Sequence, residues 1–579
     1  MRAPELVLAD LVRRALALPE GSEVPVTRPP DPALGDFAVA MFPFAKTLRA
    51  APPALAQKVA AAFTPGEGLT AVAAAGPYVN VRIDRAAFLG GLLAEVAARG
   101  DAYGGAEQKD ARADGTQRTV VIDYSSPNIS KHLAYHHIRS TMIGHALVNI
   151  HRALGRRVVG LNFLGDWGTT HGMLIAAWEM WGEAEGIDLG DDGVTKLNAL
   201  YVRFRDAAKQ DPTLDARARA AFARLESGDA AARALWERFR AISLAEFEET
   251  YRRLGVTFDA LCGESFYEDR MAPVVADLER RGLTSVSDGA LVVDLSELGL
   301  PPCLLRKQDG ATLYATRDIA SALHRYEEWD FDRALYVVDK GQSLHFRQLF
   351  AVIEKAGYPF AGRLEHVPFG QIRFGGRKTS TRGGNVVLLH EVLESAAQEI
   401  EAVIAEKNPA MPAAQRRQVA EQVGYGAIVF ADLSRERGRD VEFDMDRLLS
   451  FEGDTGPYCQ YQHARIASIV QKSGVDTAGA DPSRLGTDAE WAVALLVAEL
   501  PARVRLAGER NEPHWIAGYA LELCRAFSAW YSQGTKDAAL KVNCDDAETA
   551  RARLALARAA QQALRNALDL IGLAAPDEM

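Results

Sequence analysis

Residues 125–147, SSPNISKHLAYHHIRSTMIGHAL, lie between two apolar runs, TVVIDY (119–124) and RVVGLNF (157–163). Both runs are rich in β-branched residues, which predicts two buried strands. Pro127 and Asn128 follow the first run closely and predict a turn at its end. The strand and the turn that follows it therefore lead directly into the quoted segment.

The rest of the segment is typical of a helix from about residue 135 to residue 154. Its apolar residues recur every four positions and form one face that can pack on a sheet: Ile138, Met142, Ala146 and Ile150. Strand, helix and strand together make a βαβ unit. The N-terminus of its helix lies at the carboxyl edge of a parallel sheet, where ligands bind in such folds.

Outward from this unit the chain divides into three predicted domains. Residues 1–112 mix short helices with apolar stretches and predict an α+β domain. Residues 113–440 alternate strand-like runs, including ALYVVD (334–339) and HVPFGQIRF (366–374), with helical patterns, as in an α/β parallel-sheet domain. A charged helical insertion is expected at about residues 190–255. Residues 441–579 show helical periodicity without strand signals, which predicts an all-α domain.

Bulk composition bounds the class of protein. The 579 residues are 48% hydrophobic and 25% charged, with a net charge of -11. No apolar run reaches the roughly 18 residues that a membrane span needs. The five cysteines form no CxxC pair, which is typical of neither a zinc site nor a disulfide framework. A reducing cytoplasm is expected, and no membrane partner. The negative charge gives no support for non-specific polyanion binding.

The N-terminus of the 135–154 helix predicts a site for phosphate groups. A helix N-terminus offers free N–H groups and a partial positive charge. Lys131, His136, His137 and Arg139 lie at or just before its first turn. Such donors can stabilise negative charge that develops on a phosphate during a reaction. The alternative is a structural βαβ unit with incidental histidines.

Six blocks in the same order are similar to those of the arginyl-tRNA synthetases, a class I family. They are SPN-x-x-K with H-x-R-S-T in the quoted segment, LGDWGTTHG (164–172), YATRDIA (314–320), VVDKGQSLHFRQLF (337–350), RKTSTRGGNVV (377–387) and FEGDTGPYCQYQHAR (451–465). The resemblance covers most of the chain. It implies a Rossmann-like catalytic domain, an N-terminal domain that touches the tRNA elbow, and a helical anticodon-binding domain. It also implies ATP, L-arginine and tRNA(Arg) as partners, Mg²⁺ accompanying ATP, and a monomer.

The four-residue signature of the family departs from its usual form here. It reads Ala134-Tyr135-His136-His137, where the family has His first and Gly third. One phosphate contact is therefore lost, and a side chain at position 136 can crowd the adenine. His132 lies two residues earlier and is a candidate to compensate.

The resemblance assigns catalytic and ATP-binding roles to several residues. His137, Lys131 and His136 would contact ATP in catalysis, with Gly165 and Asp166 of the second block. RKTSTRGGNVV resembles the mobile KMSK loop, in which Lys378 neutralises the leaving pyrophosphate and Ser380 contacts ATP. Neighbouring glycines give the loop backbone freedom. Read from its residues alone, the segment is also typical of a solvated basic hairpin.

The arginine pocket is predicted from acceptors, because a guanidinium has five donors and no acceptor. By resemblance, Asp318 pairs with the guanidinium, while Tyr314 and Gln342 contribute further contacts. Asp123, Ser126 and Asn128 would hold the α-amino and carboxylate end, and Glu264 is a further candidate. The alternative for Asp318 is a surface salt bridge with Arg317.

Contacts with tRNA are predicted in both terminal domains. By resemblance, Tyr78 and Asn80 in AGPYVNVRI (75–83) read a D-loop base by stacking and hydrogen bonding. Tyr458, Tyr461 and Arg465 follow at helical spacing and, with Tyr531 and Met579, would meet the anticodon loop. Each tyrosine could instead be a core residue.

The sequence thus predicts an arginine–tRNA ligase that forms arginyl-adenylate and transfers the arginyl group to the 3'-terminal ribose. Two alternatives stay open. One is an adenylate-forming ligase of the same superfamily that acts without tRNA. The other is a non-catalytic tRNA-binding paralogue, which the altered signature favours.

Overall fold

A small antiparallel sheet forms the first part of the chain. The computed structural model describes residues 4–66, 68–190, 192–308, 314–374, 377–378 and 387–579. The strands of this sheet are β1 Val26–Thr27, β2 Phe37–Ala40, β3 Leu69–Ala75 and β4 Tyr78–Ile83, in the order β1-β2-β4-β3. The helices of this region are α1 Pro4–Leu16, α2 Phe42–Leu48, α3 Pro52–Ala61 and α4 Arg85–Arg99. Apolar residues of β4 are buried, so the predicted α+β character is confirmed.

The larger part of the chain is built around a parallel sheet. The remaining strands are β5 Thr119–Asp123, β6 Arg157–Leu164, β7 Ala260–Gly263, β8 Thr284–Ser287, β9 Ala290–Val293, β10 Cys303–Arg306, β11 Arg333–Tyr336, β12 Leu364–His366, β13 Ile372–Phe374, β14 Arg377–Lys378 and β15 Val441–Phe443. Within the described residues, the main sheet has the order β12-β11-β5-β6-β7, and all its pairs are parallel. The α/β prediction is confirmed.

The helices that follow the first sheet cover this core and continue to the C-terminus. They are α5 His137–Ala153, α6 Thr169–Ala177, α7 Gly193–Gln210, α8 Thr213–Glu226, α9 Ala230–Leu254, α10 Glu268–Arg280, α11 Tyr314–Trp329, α12 Ser343–Lys355, α13 Leu389–Lys407, α14 Ala413–Leu433, α15 Met445–Leu448, α16 Gly456–Ser473, α17 Asp488–Arg510, α18 His514–Lys536 and α19 Ala547–Leu570. Helices α7 to α9 lie where the insertion is predicted. None of these helices, within the described ranges, has the length and apolar character that crossing a membrane requires.

The order of the strands places the ligand site. From β5, the strands β6 and β7 are added one after the other toward one edge of the sheet. The chain then returns, and β11 and β12 are added on the other side of β5. The reversal between β5 and β11 is a topological switch point, where the carboxyl ends of the strands form a crevice. Asp123, the last residue of β5, lies at this crevice. Helix α5 begins just beyond it and is buried from Ile138 to Val148.

Two details differ from the sequence prediction. The run 366–374 is not one strand: β12 ends at His366, and β13 belongs to a different sheet, where it pairs with β14 and β15. Gly370, between them, lies against the Arg439 backbone with no room for a β-carbon. The residues after 441 are also not free of strands, because β15 pairs with β13.

The chain folds into two compact units that do not coincide with the three predicted domains. The first comprises residues 1–103, 469–498 and 525–562. The second comprises residues 104–468, 499–524 and 563–579. The C-terminal helices α16 to α19 therefore contribute residues to both units, whereas the main sheet lies wholly in the second.

Candidate active site

The turn after β5 is held in an unusual backbone conformation. Ser125 and Ser126 have φ angles of 69° and 49°, which cost on the order of 1–3 kcal/mol each for residues with a β-carbon. The Ser125 N–H donates to Ser140 Oγ at 2.9 Å, and Ser140 Oγ donates to the Val337 carbonyl at 2.7 Å. Ser125 Oγ also lies 2.8 Å from the Tyr251 hydroxyl. Helices α5 and α9 and the end of β11 thus hold the turn in place.

Gly165 determines where Asn128 lies. Its N–H donates to the Pro127 carbonyl at 3.0 Å, and its carbonyl accepts from the Ile129 N–H at 3.2 Å. A β-carbon at position 165 would overlap the Asn128 amide, so only glycine allows this approach. Both polar groups of the Gly165 backbone are therefore used by the turn. The ATP contact of Gly165 stays a prediction.

The first residues of α5 line a cavity of about 1510 Å³ together with Asn128 and Lys131. The rings of His136 and His137 lie 4.2 Å apart, centroid to centroid. His137 Nδ1 donates to the Ala134 carbonyl at 3.0 Å. Burial lowers the pKa of His136 and lowers that of His137 to about 3, and burial also lowers the pKa of Lys131. The cavity therefore brings the side chains of Lys131, His136 and His137 together at the start of α5, where the N–H groups of His137, Ile138 and Arg139 already donate to the carbonyls of Ala134, Tyr135 and His136.

The tautomer of His137 follows from its hydrogen bond. A carbonyl oxygen can only accept, so Nδ1 carries the proton and the neutral ring presents a lone pair at Nε2. Donation from Nε2 to a phosphate oxygen requires a second proton. Negative charge brought into the cavity would favour that protonation.

His132 does not replace the missing first histidine of the signature. Its Nδ1 lies 2.9 Å from Glu246 Oε1, and its Nε2 lies 3.1 Å from Thr195 Oγ1. Both ring nitrogens are thus bound to insertion helices, and Glu246 raises the pKa of the ring. His132 joins the turn to the insertion.

Arg139, predicted to bind phosphate, and Asp166, predicted to bind ATP, are both buried and engaged by other side chains of the protein. Arg139 is buried in α5, with its Nε 2.7 Å from Asp432, and its Nη atoms donate to backbone carbonyls. Asp166 is fully buried and accepts from the Ser265 N–H and hydroxyl, each at 2.9 Å. Arg240 of α9 also donates to it at 3.1 Å. Neither side chain reaches the cavity with a free polar group.

The KTST segment is described only in part. Strand β14, Arg377–Lys378, pairs antiparallel with β13. Ser380 and the side chain of Lys378 lie outside the described residues. Where the description resumes, the Val387 carbonyl accepts from the Tyr135 N–H at 2.8 Å. The residues that follow the segment therefore lie against the signature.

Three acidic side chains stand at the switch point, each with a cationic partner. Asp123 Oδ2 accepts from Arg325 Nη2 at 2.7 Å, and Glu264 Oε1 lies 3.1 Å from Arg317 Nη1. The third acidic residue, Asp318, lies with its Oδ2 2.6 Å from His345 Nε2. The alternative prediction of an Asp318–Arg317 pair is wrong, because Arg317 binds Glu264.

The remaining residues predicted to bind arginine lie around these pairs. Ser126 Oγ donates to Asp123 Oδ1 at 2.9 Å, so both oxygens of that carboxylate are engaged. Tyr314 begins α11 and is 67% exposed. Gln342 is exposed and directly precedes α12. The structure therefore joins Ser126 to Asp123 and leaves Tyr314 and Gln342 exposed to solvent.

Arg325, His345 and Tyr251 contact residues of the predicted site, and sequence reasoning did not indicate them. Arg325 lies seven residues after Asp318, two turns along the same face of α11, so helical spacing could have indicated it. His345 lies within the block 337–350, in which only Gln342 was predicted to bind arginine. Tyr251 belongs to the insertion, and no local pattern indicates its contact with Ser125.

In the first unit, the two residues predicted to bind a D-loop base differ in exposure. Tyr78 is 44% exposed and its ring packs edge-on against Phe42, with centroids 6.0 Å apart. Asn80 is only 5% exposed. The Tyr78 ring is accessible for stacking on a base. The Asn80 side chain is buried in this conformation and is not accessible for the predicted hydrogen bond.

Helix α16 presents one open and one closed face. Tyr461 is 42% exposed, and the Arg465 guanidinium lies 5.7 Å from its ring centroid. Tyr458, one turn earlier, is half-buried. On the closed face, Gln460 donates to the Ala574 carbonyl at 2.8 Å and His463 Nδ1 donates to the Pro576 carbonyl at 3.0 Å. These bonds fix the tail that ends at the half-buried Met579.

Tyr531, the last predicted anticodon residue, lies in the first unit. It is half-buried and lines a cavity of about 290 Å³. Lys472, Lys541 and Asn543 also line that cavity. An aromatic ring beside two ammonium groups is suited to a nucleotide.

Fold and site together are those of a class I tRNA synthetase. The model of class I (R) tRNA synthetase catalytic domains matches residues 105–445. The arginyl-tRNA synthetase N-terminal domain matches residues 6–83, and the DALR anticodon-binding domain matches residues 459–579. The chain belongs to the arginyl-tRNA synthetase family.

Individual relatives agree with this assignment. The chain is 43% identical to an arginine–tRNA ligase of Exiguobacterium sibiricum, over 99% of this chain and 98% of that protein. It is 40% identical to an arginine–tRNA ligase of Clostridium perfringens, over 97% of each. Among solved structures, arginyl-tRNA synthetase of Thermus thermophilus is similar with a TM-score of 0.82 and 27% identity, over 100% of both chains.

Proposed function

We propose that this chain is an arginine–tRNA ligase that activates L-arginine with ATP and transfers it to tRNA(Arg). The single observation that carries the proposal is the position of Asp318. Its carboxylate lies at the switch point of the sheet, in the same unit as a cavity lined by Lys131 and His137. An acceptor for a guanidinium and donors for phosphates are what this reaction needs. The printed activities of the relatives agree with it.

In the first step, the carboxylate of arginine attacks the α-phosphate of ATP, and arginyl-adenylate and pyrophosphate form. Negative charge builds on the phosphate oxygens as the bond to pyrophosphate breaks. Lys131, His137 and the partial positive charge at the N-terminus of α5 would stabilise that charge. Lys378 would neutralise the leaving pyrophosphate. No side chain serves as a covalent nucleophile, so catalysis consists of positioning and charge stabilisation.

For recognition of arginine, Asp318 would accept from the guanidinium, with Tyr314 and Gln342 beside it. Ser126 and Asn128 would hold the α-amino and carboxylate end, together with Asp123. Because Asp123 already binds Arg325 and Ser126, it would share its oxygens with the substrate. Lysine in this pocket would leave acceptors unpaired, at about 1–3 kcal/mol per group.

In the second step, a hydroxyl of the 3'-terminal ribose of tRNA attacks the mixed anhydride, and AMP leaves. Tyr78 is proposed for the tRNA elbow. For the anticodon loop we propose Tyr458, Tyr461, Arg465, Tyr531 and Met579. Exposed aromatic rings suit this role because single-stranded bases stack on them.

Magnesium is proposed only as a companion of ATP. Among the residues that the structure describes, no group of three or more His, Cys, Asp or Glu side chains could hold a metal ion. The residues present therefore do not fit a resident metal, and no step above depends on one.

We extend the proposal to a monomer in the cytoplasm. The five cysteines are free thiols, which agrees with a reducing compartment. Sedimentation of the purified chain tests the oligomeric state.

The test is pyrophosphate exchange and aminoacylation with arginine, ATP and tRNA(Arg), using the wild-type chain and D318N. We expect arginine-dependent activity that D318N reduces at least 100-fold, mainly through KM for arginine. D215N, on the exposed face of α8, is the matched control and should keep full activity.

Three results would overturn the proposal. Exchange that never needs tRNA, without any charging, would favour an adenylate-forming ligase that acts on another acceptor. Tight tRNA binding without exchange would favour a non-catalytic paralogue. Charging of a different amino acid would refute the assignment of the pocket.

A further inference from the structure

The three acidic residues of the pocket differ in the partner that each one has. Asp123 and Glu264 bind arginine side chains, which carry a positive charge at every physiological pH. Asp318 binds a histidine, His345, at 2.6 Å. Histidine is the side chain whose charge ordinarily changes near neutral pH. Of the three described pairs, only Asp318–His345 therefore has a cation that can become neutral.

The geometry of the pair makes it sensitive to the substrate. His345 and Asp318 are each about a quarter exposed, on the neighbouring helices α12 and α11, so a ligand can reach them. A guanidinium that pairs with Asp318 brings a second positive charge against the same carboxylate. It repels a protonated His345 but not a neutral one. A neutral ring with its proton on Nε2 still donates to Asp318 and holds the carboxylate in place.

We propose, on the basis of the arginine-ligase function above, that His345 is a positioning residue that releases a proton when arginine binds to Asp318. In the empty pocket, protonated His345 serves as a built-in counter-ion. In the filled pocket, the substrate guanidinium replaces protonated His345 as the counter-ion of Asp318. The neutral His345 ring then orients the carboxylate. Arginine binding consequently depends on pH.

Several other charged groups surround this pair. On α11, Arg317 and Arg325 are bound to Glu264 and Asp123, and the Asp123 carboxylate lies near enough to Asp318 to feel its charge. On β12, burial lowers the pKa of His366, and a charged His345 would lower it further. Burial raises the pKa of Glu264 to about 7, so this carboxyl can titrate near neutral pH.

The direction of the effect follows from the contacts. Asp318 raises the pKa of His345 in the empty pocket, and a bound guanidinium lowers it again. Above the empty-pocket pKa no proton must leave, and affinity for arginine is highest. Between the two pKa values, affinity falls by up to tenfold for each pH unit toward acid. A change of this kind appears in KM for arginine rather than in kcat.

The experiment measures binding of L-arginine to the full chain by isothermal titration calorimetry, from about pH 6 to about pH 9, the range in which histidine titrates. Buffers with different ionisation heats report how many protons leave. We expect wild type to release a proton and to bind arginine at least tenfold more weakly at the acid end. H345N should lose most of this dependence. H324N should retain it, because His324 lies on α11 among Phe266, Tyr267 and Trp329.

Two further variants keep the proposal falsifiable. E264Q, which removes a neighbouring carboxyl whose pKa burial raises to about 7, should still release the proton. H345A, which cannot donate to Asp318, should raise KM for arginine at every pH, and H345N should recover part of the loss. Wild type that binds arginine without proton release, or H345N with unchanged pH dependence, would overturn the role of His345. Wild type that neither binds arginine nor charges tRNA at any pH would instead overturn the proposed function.

Discussion

Gly165 and Asn128 lie so close together that a β-carbon on Gly165 would overlap the side-chain amide of Asn128. Gly165 stands at the end of β6, and Asn128 stands in the turn after β5. Because of this contact, the distance between the two neighbouring strands fixes the position of the side chains that line the cavity. The active site therefore depends on a glycine that need not touch substrate.

We expect G165A to displace Asn128 and the turn that carries Lys131. A displacement of about 1 Å in a catalytic site can cost on the order of 100-fold in rate, so kcat/KM in aminoacylation should fall by about 10- to 100-fold. The control is G518A on α18, where a β-carbon would meet open space. Unchanged kinetics in G165A would show that the turn tolerates the shift.

The buried Arg139–Asp432 pair should be essential for stability rather than for catalysis. Both side chains are less than 5% exposed, and removal of one partner of a buried pair costs about 3–5 kcal/mol. Urea unfolding of D432N should show a loss of this size. D206N breaks the exposed Asp206–Lys209 pair and should cost less than about 1 kcal/mol. Equal effects in the two variants would contradict the structural role of Arg139.

Acid should destabilise the chain through its buried histidines. Burial lowers the pKa of His145 and His171 to about 4, and that of His151 to about 3. The unfolded chain takes up these protons below about pH 6.5, whereas the folded chain does not. Each histidine should therefore cost about 1.4 kcal/mol per pH unit from about pH 6.5 down to its folded pKa.

Unfolding free energies of wild type and H151Q across that range check this expectation. The variant should lose stability less steeply toward acid. H345N should show the opposite change and lose stability more steeply toward acid than wild type. Asp318 raises the pKa of His345, so protonation of His345 favours the folded state. An H151Q curve parallel to wild type would refute the assignment.

Removal of the Tyr461 ring should weaken tRNA binding. A stacked base contributes about 1–3 kcal/mol, so Y461A should raise KM for tRNA by about 10- to 100-fold with little change in KM for arginine. Y461F keeps the ring and should bind nearly as well as wild type. If both variants bind tRNA normally, Tyr461 is not an anticodon contact.

Local pattern was sufficient for much of the fold. The four-residue spacing of Ile138 and Met142 predicted the buried helix, and the flanking β-branched runs predicted β5 and β6. Where a strand depended on distant neighbours, the prediction was wrong. The run 366–374 reads as one strand, yet it is divided between two sheets, and Gly370 between the two strands packs against the distant Arg439.

The same contrast holds within the site. Sequence spacing placed Lys131, His136 and His137 at a helix N-terminus, because helical geometry is set by neighbours within a few residues. It also assigned Arg139 to phosphate binding and Asp166 to ATP binding, although their partners, Asp432 and Ser265, are about 290 and 100 residues away in the chain. No local pattern carries that information.

The sequence by itself determined the βαβ unit at 119–163, the family, and the chemical types of the groups at the switch point. Only the tertiary structure decided which carboxylate is permanently neutralised and which has a titratable partner. The physical reason is range. Strand and helix patterns arise from interactions between near neighbours, whereas the partner of Asp123 or Asp318 is a side chain that the packing of distant segments brings within hydrogen-bonding distance.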